Sequence, residues 1–111
     1  MAGWVLVTCS GVSNTGRLTT QAASAFRQRH PSALDDAVPA GRLDTGAVPA
    51  GCRVIALDGC ADACGRKKLE GLGVVPDAHI VATELGVVKN GMAEVRYDEI
   101  ARVVSALREA V

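Results

Sequence analysis

Val54-Ile55-Ala56-Leu57-Asp58-Gly59-Cys60 joins a run of apolar residues to a glycine and a cysteine, and Cys64 follows shortly after. An apolar run of this length, bounded by a turn signal, is typical of a buried strand in a parallel sheet. The same pattern occurs near the start of the chain, where Val5-Leu6-Val7-Thr8 leads into Cys9. Because residues that follow parallel strands gather at the carboxyl edge of the sheet, the two segments predict a thiolate site there.

The remaining pattern predicts strands that alternate with helices. Strands are expected at about residues 3–8, 53–58 and 79–83, and helices from Thr19 or Thr20 to before Pro31, from near Cys60 to the Gly71-Leu72-Gly73 breaker, and from Asp98 to about Ala110. The last helix has a core face formed by Ile100, Val103, Val104 and Leu107. This alternation indicates an α/β fold, a small three-layer α/β/α sandwich with a mostly parallel, Rossmann-like sheet.

Two connecting segments are less regular. Residues 31–52 are rich in Ala, Gly, Pro and Asp, and Ala-Val-Pro-Ala-Gly occurs at both 37–41 and 47–51. We interpret 31–52 as a flexible loop within a single domain of residues 1–111, with a mobile flap or a weakly encoded crossover helix as alternatives. Lys89-Asn90-Gly91-Met92 predicts a turn, which would open a short extra strand through Val95.

The composition excludes several classes of protein. The 111 residues, 49% of them hydrophobic and 22% charged, are enough to form a core without disulfides or metal. Twelve Lys and Arg balance twelve Asp and Glu, so no basic surface for nucleic acid is predicted. The apolar N-terminal run is too short for a secretory signal, and no run approaches the ~18 residues of a membrane span. We expect a cytoplasmic protein with no membrane partner, whose cysteines are free, metal-bound or catalytic.

Cys60 and Cys64 carry the most specific signal. If a helix begins near Cys60, the two cysteines share one of its faces, and both sulfurs can reach the same ion. Cys60 would then lie in the first turn, where backbone N–H groups stabilise a thiolate. The structural alternative is that both are small buried apolar side chains. Cys52 precedes the strand at 53–58, roughly 20 Å from the carboxyl edge at ~3.3 Å per residue, so we do not expect it to be a ligand.

Cys9, Cys60 and Cys64 form the predicted metal site. Three protein ligands with an open fourth position are typical of catalytic or exchangeable zinc. The fourth ligand is expected to be water or one of the carboxylates that share this edge, namely Asp58, Asp62 and Glu84. An iron–sulfur cluster would use the same thiolates and is the alternative cofactor. We predict surface or capping roles for the histidines, since His30 ends a helix and His79 opens its strand at the opposite edge.

The loop after Cys9 supports an anion-binding hypothesis. A Gly- and Ser-rich turn that leads into a helix presents backbone N–H groups, and Ser10, Ser13 and Arg17 can hydrogen-bond an anion or a thiolate. The spacing of Cys9 and Arg17 does not match the Cys-x5-Arg loop of cysteine phosphatases, and no Walker or dinucleotide motif is present. Lys89 is expected near the same edge, where its charge can stabilise thiolates.

These motifs together resemble the DGC-domain family, named for its Asp-Gly-Cys motif. The resemblance covers most of the chain and rests on Cys9-Ser10-Gly11-Val12-Ser13-Asn14-Thr15-Gly16, on Val54 to Cys60 with Cys64, Lys67, Lys68 and Leu69, and on Leu85-Gly86-Val87-Val88-Lys89. It implies zinc binding through cysteines, with no assigned activity, and supports Cys9, Cys60 and Cys64 as ligands. The family's remaining cysteine lies in a Cys-Leu-Ala-like stretch before Asp-Gly-Cys, which this sequence lacks.

Two functions follow from the sequence. The first is a zinc-binding protein. The alternative is a cysteine-dependent redox or sulfur-transfer protein, in which Cys60 attacks as a thiolate and Cys64 or Cys9 resolves the intermediate. Whether the protein is an enzyme is left open, and a small anion, a thiol substrate, a protein partner or a second copy of the chain fits either function.

Overall fold

A computed structural model describes residues 3–9, 11, 13–44 and 51–111. Its strands are β1 (Trp4–Thr8), β2 (Leu34–Pro39), β3 (Arg53–Asp58) and β4 (Ala78–Val81), and its helices are α1 (Asn14–Arg29), α2 (Cys64–Gly71) and α3 (Tyr97–Ala110). Short 3-10 helices occupy Ala40–Arg42 and Ala82–Leu85. The predicted α/β class with a parallel sheet is confirmed.

The strand order is β2-β1-β3-β4, and every pairing is parallel. Thr8 at the end of β1 lies opposite Leu57 near the end of β3, so these two strands finish at the same edge. β2, which follows β1 in the chain, lies on one side of β1 in the sheet, and β3 lies on the other side. The carboxyl ends of β1 and β3 therefore flank the switch point of the sheet, which is where open α/β sheets bind ligands.

Side-chain alternation along β3 divides the core into two clusters. Ile55 and Leu57 belong to the cluster that packs against α1 and α3, whereas Val54 and Ala56 belong to the one that includes Leu69 of α2. Because successive strand residues point to opposite faces, α2 covers one face of the sheet while α1 and α3 cover the other. This is the predicted three-layer arrangement.

The prediction of a loop over residues 31–52 is wrong for residues 34–42. β2 pairs in parallel with β1, and the 3-10 helix Ala40–Arg42 follows it. The sequence does not predict this strand, because it contains the exposed charged residues Asp35 and Asp36 and ends at Pro39. Charged residues and proline are typical of edge strands, which β2 is. Residues 45–50, with most of the second Ala-Val-Pro-Ala-Gly repeat, lie outside the described residues.

Two helices begin elsewhere than predicted. α1 begins at Asn14 rather than after Thr19, because the Ser13 hydroxyl caps it by accepting a hydrogen bond from the Gly16 amide at 3.3 Å. α2 begins at Cys64 rather than near Cys60, and Ala63 before it has a left-handed backbone with φ of 52°. Cys60 therefore lies in the bends and turns of 59–63, and the prediction that it occupies the first helical turn is wrong.

The carboxyl-terminal third largely follows the prediction. β4 covers Ala78–Val81 and passes into the 3-10 helix Ala82–Leu85, so the strand is shorter than expected. The predicted turn is present at residues 91–92, but the extra strand through Val95 is not formed, because residues 93–96 lead directly into α3. α3 buries the predicted Val103, Val104 and Leu107. None of the described helices combines the length and the apolar character needed to cross a membrane.

Candidate functional site

Asp58, the last residue of β3, holds the start of α2 against the sheet. Its side chain is completely buried. One carboxylate oxygen accepts a hydrogen bond from the Gly65 amide at 2.7 Å, and the other accepts one from the Arg66 amide at 3.3 Å. The second oxygen also lies 2.7 Å from Nε2 of His79. The carboxylate thus takes the two N–H groups at the beginning of α2 that would otherwise be free for another anion.

Cys9 and Cys64 come together near this carboxylate. The Cys9 amide donates to the Leu57 carbonyl at 2.9 Å, which places Cys9 beside the end of β3. The anchored first turn of α2 brings Cys64 to the same place, next to Cys9. Cys9 is buried and Cys64 is exposed. The predicted convergence of sulfur at the carboxyl edge is therefore present for these two cysteines.

The surroundings of this pair keep Cys64 protonated. Partial burial of its thiol raises the pKa of Cys64, and the neighbouring Cys9, Asp58 and Asp62 raise it further, partly through the hydrogen bond to Cys9. Each of these neighbours disfavours a second negative charge. The helix dipole does not reverse this effect, because the Asp58 carboxylate already occupies the helix start. Cys64 is consequently a poor nucleophile until a cation or a stronger base removes its proton.

Cys60 has different neighbours. Its sulfur lies 3.5 Å from Oδ2 of Asp62 and 3.6 Å from Nζ of Lys89. The Lys89 ammonium also lies 3.8 Å from the Asp62 carboxylate, in an ion pair whose side chains are largely exposed. Lys89 is therefore beside a thiol, as predicted, but that thiol belongs to Cys60 and not to the Cys9 and Cys64 pair.

Close packing of glycines joins the loops after β1 and β3. A Cβ added to Gly59 would lie 2.6 Å from the carbonyl carbon of Thr15 and 2.7 Å from its oxygen. A Cβ on Gly16 would lie 2.5 Å from the Gly11 carbonyl oxygen. These contacts involve backbone on both sides, so no flexible side chain can move to make room. The start of α1 is thereby pressed against both loops that carry cysteines.

The three predicted metal ligands are not gathered into one group. Within residues 3–9, 11, 13–44 and 51–111, no three side chains of the types His, Cys, Asp or Glu are placed so that they could hold a metal ion together. Cys9 and Cys64 lie together, whereas Cys60 faces Asp62 and Lys89. The donor set of two neighbouring thiols fits a soft metal ion, but the third ligand is not in place.

A comparison with models of protein families matches the DGC domain to residues 5–107. The match covers nearly the whole chain and includes every residue of the site described above. The chain belongs to the DGC-domain family. No match was found among curated proteins or among solved structures.

In this DGC domain, the residues of the Asp-Gly-Cys motif have separable roles. Asp58 anchors α2 through the Gly65 and Arg66 amides. Gly59 allows the backbone of α1 to approach at Thr15. Cys60 then begins the turn that leads to Cys64. Two of the three motif residues thus build the crevice, by which we mean the space between the ends of β1 and β3 and the start of α2. Only the third motif residue supplies a sulfur atom.

Two residues that position the DGC-domain site were not predicted. His79 was expected at the opposite edge, but β4 is staggered so that His79 lies opposite Ala56, and its imidazole reaches Asp58. Asn14 is buried and fixes the loop that carries Lys89, because its side chain donates to the Val88 carbonyl and accepts from the Asn90 amide, both at 2.8 Å. The sequence signal for Asn14 was its place after the capping Ser13.

The other predicted residues have structural contacts or lie apart. Ser13 caps α1, and the Arg17 guanidinium donates to the Ala93 carbonyl, while its buried Nε has no partner among the described residues. Glu84 is exposed in the 3-10 helix after β4. Cys52 lies 3.7 Å from Asp35 at the amino end of β3, far from the other cysteines as predicted. Ser10 lies outside the described residues.

Proposed function

We propose that this DGC domain binds a zinc ion through the thiolates of Cys9, Cys60 and Cys64. The observation that carries the proposal is the convergence of Cys9 and Cys64 at the switch point of the sheet. Two sulfur ligands from different elements already lie together, so neither the sheet nor α2 needs to rearrange. A bound zinc ion would supply the positive charge that holds these sulfurs as thiolates.

The charges around the pair support a cation as the ligand. Cys9, Asp58 and Asp62 all raise the pKa of Cys64, which means that they produce a negative potential at its sulfur. The same potential attracts a divalent cation. Because the Asp58 oxygens already accept hydrogen bonds from α2 and lie against His79, we assign Asp58 to holding the helix and not to ligation. Asp62, which is largely exposed, and water stay as candidates for the fourth ligand.

Cys60 is proposed as the ligand that joins the pair when the ion binds. It lies in the 59–63 segment of bends and turns, between the fixed end of β3 and the fixed start of α2. Its present partners, Asp62 and Lys89, have side chains that are 74% and 46% exposed, so breaking these contacts costs little. A local change of this segment would bring the third sulfur to the pair without unfolding either element.

Elemental analysis of untagged protein purified without oxygen tests the proposal directly. We expect one zinc ion per chain, and we expect the thiols of Cys9, Cys60 and Cys64 to become reactive only after a chelator removes it. Cys64→Ser should weaken zinc binding by at least about 100-fold, because even the loss of a hydrogen bond to a ligand costs 10–100-fold. Cys52→Ser is the matched control and should bind zinc like the parent. Bound iron with inorganic sulfide would instead indicate a cluster on the same thiolates.

The affinity for zinc should depend strongly on pH. Cys64 has a raised pKa and is protonated at neutral pH, so zinc binding must release its proton. Each such proton makes the apparent affinity rise about tenfold per pH unit, and the affinity should therefore increase from pH 6 to pH 8 by about 100-fold or more. Competition with a chromophoric chelator at each pH measures this slope. An affinity that does not change over this range would rule out Cys64 as a ligand.

Cysteine-dependent redox or sulfur transfer is the second candidate, and the ammonium of Lys89 near Cys60 favours it. Nζ of Lys89 lies 3.6 Å from the Cys60 sulfur, whereas the groups around Cys64 are carboxylates and a second thiol. The elemental analysis distinguishes the two functions. Protein without metal, in which Cys60 is alkylated faster than the other cysteines at neutral pH, would support the second candidate and contradict the first.

A further inference from the structure

Cys9 and Cys64 are neighbours at the carboxyl edge of the sheet, and the backbone of each is held in place. Cys9 is fixed by its own amide, which donates to Leu57, and by its carbonyl, which accepts from the Thr19 hydroxyl at 2.8 Å. Cys64 is fixed because the next residue, Gly65, donates to Asp58 at 2.7 Å. The two cysteines are therefore brought together by backbone that is held on both sides, and not by flexible segments.

We propose that Cys9 and Cys64 form an intramolecular disulfide by exchange with a low-molecular-weight disulfide, and that this bond prevents zinc binding. The first half of the statement rests on the geometry of the pair alone. The second half rests on the proposed function, since it assigns a redox control to the same site.

The exchange begins at Cys64, because it is exposed while Cys9 is buried, and a base in solution can therefore reach Cys64 and remove its proton. The Cys64 thiolate attacks one sulfur of the small disulfide, forms a mixed disulfide, and releases the first small thiolate, which takes up the proton that Cys64 has lost. The Cys9 thiolate then attacks the Cys64 sulfur and releases the second small thiolate, which takes up the proton of Cys9. Two protein thiols are oxidised by two electrons, and the small disulfide is reduced to two thiols.

The other two cysteines are not placed for this reaction. In the metal-free protein Cys60 lies beside Asp62 and Lys89, and it must leave both before its sulfur can reach Cys64. Cys52 is 3.7 Å from Asp35 at the amino edge of the sheet. The structure therefore assigns one partner to Cys64, although Cys60 is closer in sequence.

Oxidation and metal binding exclude one another at this pair. A disulfide has no thiolate to donate, so it removes two of the three proposed ligands, and the remaining Cys60 cannot hold zinc tightly alone. Conversely, a sulfur that ligates zinc is shielded from exchange. We therefore expect bound zinc to slow disulfide formation, and disulfide formation to reduce the affinity for zinc by more than about 100-fold.

The test uses the full chain, freed of metal and reduced, and then incubated with excess oxidised glutathione. After acid quenching, intact mass should show the loss of two hydrogens without a glutathione adduct on the pair. Peptide mapping should show a cross-link between the peptides that contain Cys9 and Cys64. Cys60→Ser and Cys52→Ser should form the same cross-link, whereas Cys9→Ser should stop at a glutathione adduct on Cys64. A cross-link between Cys60 and Cys64, or adducts alone in the parent, would overturn the pairing.

The second arm separates the two proposals. Zinc affinity is measured for the reduced and the oxidised protein under the same conditions. Zinc bound by the reduced form and lost from the oxidised form supports both. Equal binding by the two forms would overturn the redox control and leave the proposed function intact. If the reduced form binds no zinc, the proposed function and the control both fail, and the peptide map alone then decides the disulfide.

Discussion

Gly59→Ala should lower the free energy of unfolding by about 3 kcal/mol, the upper end of the usual cost of overpacking. The added methyl carbon would lie 2.6 Å from the carbonyl carbon of Thr15 and 2.9 Å from the Gly16 amide nitrogen. Both contacts are with backbone near the first turn of α1, which is itself held by the Ser13 cap. The substitution must therefore push α1 away from the end of β3, and urea denaturation of the two proteins measures the loss.

Gly71→Ala is the matched control for this substitution. Gly71 is the last residue of α2, and a Cβ at this position would meet no atom within 4 Å. Alanine is the better helix former, so this variant should be as stable as the parent or more stable, by up to about 1 kcal/mol. If Gly59→Ala were as stable as Gly71→Ala, the close approach of α1 would not be a feature of the folded protein.

The crevice itself could be predicted from the sequence because its two central strands are locally encoded. The apolar runs before Cys9 and Asp58 are long enough to indicate buried strands, and parallel strands of an α/β fold end at one edge by topology. The meeting of Cys9 with the segment after β3 follows from these two facts. α3 was predicted for a similar reason, since Val103, Val104 and Leu107 repeat at helical spacing.

The start of α2 was missed because it depends on local features that no common helix signal contains. The start of α2 is set by Asp58, whose carboxylate reaches the amides of Gly65 and Arg66 across the turn, at a spacing that no helix-capping pattern contains. Ala63 before the helix has a left-handed backbone, which alanine seldom adopts. The sequence therefore does not predict this conformation. These two residues decide that Cys64, and not Cys60, begins the helix.

The stagger of β4 explains why His79 was assigned to the wrong edge. From the sequence alone, the first residues of a short strand are expected at the amino edge of the sheet. β4 pairs only with the second half of β3, with Ala78 opposite Ile55 and Val81 opposite Asp58. His79 is therefore close to the carboxyl edge, and its imidazole reaches the buried carboxylate. Register between strands is a tertiary property, and only the packing of the whole sheet determines it.

Asp58→Asn should remove about 2 kcal/mol from the free energy of unfolding and separate Cys64 from Cys9. The amide has nearly the shape of the carboxylate, but its NH2 group would face an N–H donor of Gly65 or Arg66, where Asp58 now presents an oxygen. A buried donor without an acceptor costs about 1–3 kcal/mol. The first turn of α2 should loosen, so the amides of Gly65 and Arg66 should exchange hydrogen with solvent faster than in the parent.

Asp62→Asn is the control that distinguishes the effect of the Asp58 charge on Cys64 from the structural role of Asp58. Both carboxylates raise the pKa of Cys64, so either substitution should lower that pKa toward its usual range and speed alkylation of Cys64 at neutral pH. Asp62 is 74% exposed, and its replacement should leave the unfolding free energy and the exchange of the α2 amides unchanged. Unchanged stability and amide exchange in Asp58→Asn would mean that Asp58 acts on Cys64 through its charge alone. If only Asp58→Asn lowers the unfolding free energy and speeds amide exchange, the buried carboxylate positions Cys64 next to Cys9. The hydrogen bonds that begin α2 are then also the ones that bring the two cysteines together.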